Sequence, residues 1–161
     1  MILTPLTLLV VGIAAGYDYM TRRIPNFLTF PAIILGLGLN AYYYGFPGLG
    51  NGALGMLLGI ALLLIPFFIG GMGAGDVKLL AAVGAINGTA FVLTTFIYSA
   101  LIGGIMSIIA IILKRQFKAT MSNMFLFMVP GAKMSQPKTG IPYGIAIFLG
   151  TILSFYTGVI W

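Results

Sequence analysis

Apolar runs of bilayer-spanning length fill most of this chain, and they narrow its possible folds more than any other feature. A helix needs roughly 20 mostly apolar residues to cross the hydrocarbon core. There it must satisfy every backbone polar group internally, which leaves only helices and closed barrels. The runs are long and lack the strict in/out alternation of a barrel strand, so they read as helices. Six candidates are found: about 1–17, 27–44, 53–70, 77–86, 89–113 and 141–161. The cluster Pro47, Gly48, Gly50, Asn51, Gly52 separates the second from the third, and Asn87-Gly88 reads as a tight hairpin between the fourth and fifth. The fourth run is short, so its helix is expected to reach back into the glycine-rich segment before Asp76. The expected fold is an all-α membrane protein, a polytopic bundle of six transmembrane helices forming one domain over residues 1–161. The first run lacks a basic start and a small-residue cleavage site, so it is retained as a span rather than read as a signal peptide.

Composition agrees with this reading. Of 161 residues, 60% are hydrophobic and only 6% charged, where a soluble domain carries about a quarter charged residues. There is no His and no Cys. That removes the Ser-His-Asp triad, the thiol nucleophile, the Cys/His zinc site and the disulfide framework; no metal and no cofactor is expected. The net charge of +6 is read as a topology signal, with the lipid bilayer and no nucleic acid as partner. Arg22 and Arg23 follow the first span, Lys78 starts the fourth, and Lys114, Arg115, Lys118, Lys133 and Lys138 lie between the fifth and sixth. In a six-span arrangement all eight fall on one side, the cytoplasmic one, and both termini lie outside. The loop of about 114–140 is then cytoplasmic, with an interfacial or re-entrant helix over Met121 to Val129. Glycines at four-residue spacing (Gly12/Gly16, Gly55/Gly59, Gly84/Gly88, Gly140/Gly144) read as close helix-packing faces.

Against eight cations the chain has only two acids, Asp18 and Asp76. Both fall at the cytoplasmic ends of their helices, at the same depth, where they can meet. Singly, Asp76 reads equally well as a helix cap and Asp18 as a partner of Arg22 or Arg23. As a pair beside membrane spans they become candidates for function. Two adjacent carboxyls cannot both ionise, so they share a proton. One then accepts a proton from water while the other donates to a carbonyl oxygen, which is peptide hydrolysis without a covalent intermediate. Gly71, Gly73 and Gly75 before Asp76 allow backbone angles closed to other residues and close approach of a substrate strand. A proton-coupled transporter using the acids as a relay, and a non-catalytic pilus-assembly membrane subunit, are the competing readings.

Gly73-Ala74-Gly75-Asp76 followed by Val77-Lys78-Leu79 resembles the GxGD signature of the type IV prepilin and preflagellin peptidases. Asp18 with Arg22-Arg23-Ile24-Pro25-Asn26 and Leu28-Thr29 is similar to that family's first aspartate and its downstream IPN element, and Ile141-Pro142-Tyr143-Gly144 is a further likeness. The resemblance implies an intramembrane aspartyl endopeptidase of a prokaryotic plasma membrane, with Asp18 and Asp76 as its catalytic pair. It would remove the basic leader from pilin-like or flagellin-like precursors at the cytoplasmic face. Larger members carry an N-terminal segment with cysteine pairs and also N-methylate the trimmed product. This chain starts at its first span without cysteine, so it looks like the short peptidase-only form, and methyltransferase activity is not expected. Gly73, Gly75, Lys78 and Tyr143 are supporting or substrate-binding candidates. Lys78 either tunes the aspartates or snorkels at a helix start, and Asn26 is read as the cap of the second helix.

Overall fold

The computed structural model describes residues 3–68, 71–113 and 143–158. These residues form five helical runs: α1 (Thr4–Thr21), α2 (Asn26–Phe68), α3 (Ala74–Asn87), α4 (Thr89–Leu113) and α5 (Tyr143–Tyr156). The all-α expectation therefore holds. Two of the runs, Asn26–Phe68 and the Thr89–Ile109 part of α4, are long and apolar enough to cross a membrane. The expected helix over Met121 to Val129, the cations from Lys114 to Lys138, and Ile141-Pro142 lie outside the described residues.

α3 is the axis of the molecule. From Asp76 to Ile86 every residue except Lys78 is buried, as expected of a helix apolar on all sides and enclosed by its neighbours. α2 wraps it from two directions, because the chain reverses at Gly45 (φ 64°, ψ −153°), a conformation open essentially to glycine alone. Gly36 and Gly52, on opposite sides of this bend, both abut Ala85. The first arm thus runs parallel to α3 and the second antiparallel. The reversal corrects the expected turn: Pro47 to Gly52 are helical, and the chain turns just before them. Pro47 falls in the first turn of the second arm, where its missing N–H costs no hydrogen bond and its fixed φ favours the helix.

The arms approach α3 through glycines. A Cβ on Gly55 or Gly84 would collide with the other's backbone, and one on Gly59 would lie 2.7 Å from the Leu80 carbonyl oxygen. For Gly55, Gly59 and Gly84 the expectation of close packing was therefore correct. Gly16 has nothing within 4 Å of such a Cβ, and Gly12 meets only Phe148 at 3.6 Å, so the same spacing in α1 marks no tight interface. Asn87-Gly88 does make the expected tight connection, with Gly88 at φ 84°. α5 fills the space between α1 and α4: Thr95 donates to Ser154 at 3.1 Å, and Gly12 faces Phe148.

Polar side chains close the end of the bundle around Asn87. The buried Asn40 amide donates to the carbonyls of Ala85 and Ile86, each at 2.9 Å, which lie in the last turn of α3 and have no partner within the helix. Asn51 accepts from the backbone N–H of Thr89 at 3.2 Å and from its hydroxyl at 3.0 Å, capping the start of α4. Asn40→Leu should therefore destabilise the protein by about 1–3 kcal/mol, the cost of buried acceptors left without donors. Thermal unfolding in detergent checks this, and an unchanged midpoint would contradict the cap.

Candidate active site

At the opposite end, the link from α1 to α2 crosses the N-terminus of α3. α1 stops because Arg22 takes a left-handed conformation (φ 54°, ψ 30°), its N–H donating to the Asp18 carbonyl at 2.9 Å. Pro25 then prevents Ile24 from resuming helix geometry. Ile24 is buried and lies directly on Gly75, where an added Cβ would come within 2.9 Å of the Ile24 Cβ and 3.2 Å of its nitrogen. Gly75 is thus required for close approach, but of the chain's own linker. Gly71 and Gly73, like Gly75, have no positive φ, which corrects the expectation of unusual backbone angles.

This crossing brings both acids to one cleft of about 290 Å³, lined by the 22–24 linker, Asn26, the start of α3 and the two aspartates. Asp18 is 6% exposed and Asp76 7%. Asp18 Oδ2 accepts the backbone N–H of Gly144 at 2.7 Å. Asp76 Oδ2 accepts the N–H of Gly73 at 3.0 Å, so Asp76 does cap its helix, from the third position backward. Its other oxygen, Oδ1, is buried and has no hydrogen-bond partner among the described residues. A cap needs only one oxygen, and capping alone leaves this burial unexplained.

Both carboxyls lie at helix ends, Asp18 in the last turn of α1 and Asp76 in the first turn of α3, outside the apolar runs that the sequence leads one to expect as spans. Burial raises the Asp76 carboxyl from its ordinary 3.8 to about 7, with the charge of Asp18 adding to the shift and the Gly73 N–H opposing it. Asp18 is also raised by burial, against the Gly144 N–H and the Arg22 guanidinium. A folded-state value above the unfolded one means that the folded protein binds more protons between them. Stability contributed by protonated Asp76 is therefore full below about pH 4 and is lost as pH rises toward 7. The unfolding midpoint should fall across that interval, and Asp76→Asn should remove the larger part of the slope. An equal slope in Asp76→Asn would show that Asp76 is not the group responsible.

The other expected residues divide. Gly73 and Gly75 line the cleft, and so does Lys78, whose Nζ donates to Asn26 Oδ1 at 2.9 Å and lies 5.3 Å from the Phe30 ring centroid. Lys78 thus ties α3 to α2, and Asn26, expected as a cap, is its acceptor. Tyr143 does not line this cleft. It packs against Gly103 of α4, within electrostatic reach of Asp76. The sequence marked Gly144 only as a packing glycine and part of the last likeness, and Ile24 only as part of the Ile24-Pro25-Asn26 element; the role of neither was read from it. A backbone N–H donor and a buried linker residue have no side-chain signature, although the likeness of Ile141-Pro142-Tyr143-Gly144 pointed to the right segment. Among the described residues no cluster of three His, Cys, Asp or Glu could hold a metal ion.

Residues 5–108 match the model of the type IV leader peptidase family, a segment that includes both aspartates and the cleft's linker. The chain belongs to the type IV leader peptidase family. This makes it a peptidase, a hydrolase, and the resemblance drawn from Gly73–Asp76 and Arg22–Asn26 led to the correct family. Comparison with curated proteins and with solved structures finds no match. α5, which supplies the Gly144 N–H to Asp18, lies beyond the matched segment of the leader peptidase model.

Proposed function

We propose that this leader peptidase is a membrane-embedded aspartyl endopeptidase with Asp18 and Asp76 as its catalytic pair. The reading rests chiefly on one observation: the chain's only two acids come from separate helices, are almost fully buried, and line a single cleft. One ionised carboxyl takes a proton from water as the water oxygen bonds to the scissile carbonyl carbon. The protonated carboxyl gives its proton to the carbonyl oxygen, forming a gem-diol. The C–N bond then breaks: the amine nitrogen takes the proton held by the first carboxyl, and a gem-diol hydroxyl returns a proton to the second. One shared proton is restored at the end.

The whole chain acts as one transmembrane domain, with the apolar parts of α1 (to about Tyr17), the two arms of α2, α3 (from about Val77), α4 and α5 as six crossings. Large apolar side chains such as Leu9, Ile34, Ile65, Ile105 and Leu149 face outward, as contact with lipid requires. The cation distribution supports a cytoplasmic cleft and external termini. Placement of both acids at one end of the helices, rather than midway, favours a peptidase over a proton relay. The substrates are pilin-like precursors, whose leader is removed at the cytoplasmic face. Co-expression with such a precursor should yield a product shortened by its leader. Binding of precursor without shortening would leave a non-catalytic assembly role instead.

A further inference from the structure

We infer that Gly144, at the N-terminus of α5, is a positioning residue that keeps Asp18 as the ionised member of the pair and leaves the resting proton on Asp76. The inference deepens the peptidase reading and rests on it for its chemical meaning. Two geometric facts carry it. First, the Gly144 N–H reaches Asp18 Oδ2 at 2.7 Å, shorter than the 3.0 Å bond from Gly73 to Asp76. Such charge-assisted bonds favour the carboxylate; the partial positive charge of a helix start acts on both acids, since Asp76 stands in the first turn of the equally long α3, so the shorter bond makes the difference. Second, Asp76 Oδ1 is buried with no partner among the described residues, which penalises a negative charge there.

Arg22 on the linker favours ionised Asp18. Each aspartate faces the other, Arg23 and Lys78 line the shared cleft, and Tyr143 on α5 lies within electrostatic reach of Asp76. The Gly144 contact admits no side chain: a Cβ would lie 2.9 Å from Asp18 Oδ2 and 3.0 Å from its Cβ. In the hydrolytic cycle, Asp18 thus accepts the proton of the attacking water and later delivers it to the leaving nitrogen. Asp76 protonates the carbonyl oxygen and recovers its proton from the gem-diol.

The scarcity of acids makes the test direct. With two acidic side chains in the whole chain, aspartate labelled with carbon-13 at the side-chain carboxyl gives two resonances, assigned with Asp18→Asn and Asp76→Asn. In detergent-solubilised full-length protein, Asp18 should ionise at lower pH than Asp76. Gly144→Ala, which pushes the carboxylate off its donor, should raise the Asp18 midpoint by about one pH unit, a tenfold change in proton affinity of the size a charge-assisted bond supports. Ionisation of Asp76 first, or an Asp18 midpoint unmoved in Gly144→Ala, would overturn the inference. If Gly144→Ala does not fold, the order in the unmodified protein still decides. Neither readout requires cleavage. Failure to process precursor would count against the proposed function alone, and a reversed titration order against this assignment alone.

Discussion

Asp18→Asn and Asp76→Asn should each reduce precursor cleavage by about 10³-fold or more while leaving the protein folded in the membrane. Amide and carboxyl have nearly the same size and share an acceptor oxygen, so Asn at position 18 can still accept the Gly144 N–H and at position 76 that of Gly73. What each variant loses is proton exchange. A pair that works as a unit fails when either member is removed, so the double variant should be barely worse than each single one. Equal thermal midpoints below about pH 4, where Asp76 is protonated in the folded and the unfolded chain alike, would separate lost chemistry from lost structure. Cleavage by either variant at more than about a tenth of the normal rate would exclude its aspartate from the pair.

The second large effect is structural. Gly84 lies back to back with Gly55, and a Cβ there would strike the Gly55 carbonyl and come within 3.0 Å of the Met56 nitrogen. All of these are backbone atoms in helices, with no flexible side chain that can yield. Gly84→Ala should therefore destabilise by about 1–3 kcal/mol through overpacking, and Gly84→Leu should prevent folding. Gly16→Ala supplies the contrast, since nothing lies within 4 Å of its added methyl. In mid-helix it should be neutral or stabilising by about 0.5–1 kcal/mol. Both are read from thermal unfolding in one detergent. If Gly84→Ala and Gly16→Ala behave alike, the two helices do not meet through glycine backbones.

These two sites differ in how far the sequence discloses them. Asp18 and Asp76 stand out because charge is costly in an apolar chain, and the cations indicated that the two acids share a side. Long apolar runs bounded by turn residues were equally legible: α4 covers the expected 89–113, and α3 starts at Ala74, reaching back past Asp76 as its short apolar run required. The reversal in α2 was misplaced because Pro47 signals a turn and a first helical turn alike, and only the positive φ of Gly45 separates the two. Four-residue glycine spacing occurs in α1 as well as across α2 and α3, yet only the latter glycines meet backbone, because the partner surface is not encoded in the spacing. Gly144 was hidden for a deeper reason. Its contribution is a backbone N–H, which every residue but proline possesses, and its role appears only once α5 is packed against α1.

Purified protein reconstituted in liposomes with a pilin-like precursor, its products weighed by mass spectrometry, shows whether Asp18 and Asp76 together cut a leader from its precursor. One cut is expected, yielding a leader and a trimmed precursor whose masses sum to the substrate plus one water, and no cut with the Asp18→Asn/Asp76→Asn double variant. Cleavage that persists in the double variant, or an intact precursor with folded unmodified protein between pH 5 and 8, would contradict this expectation.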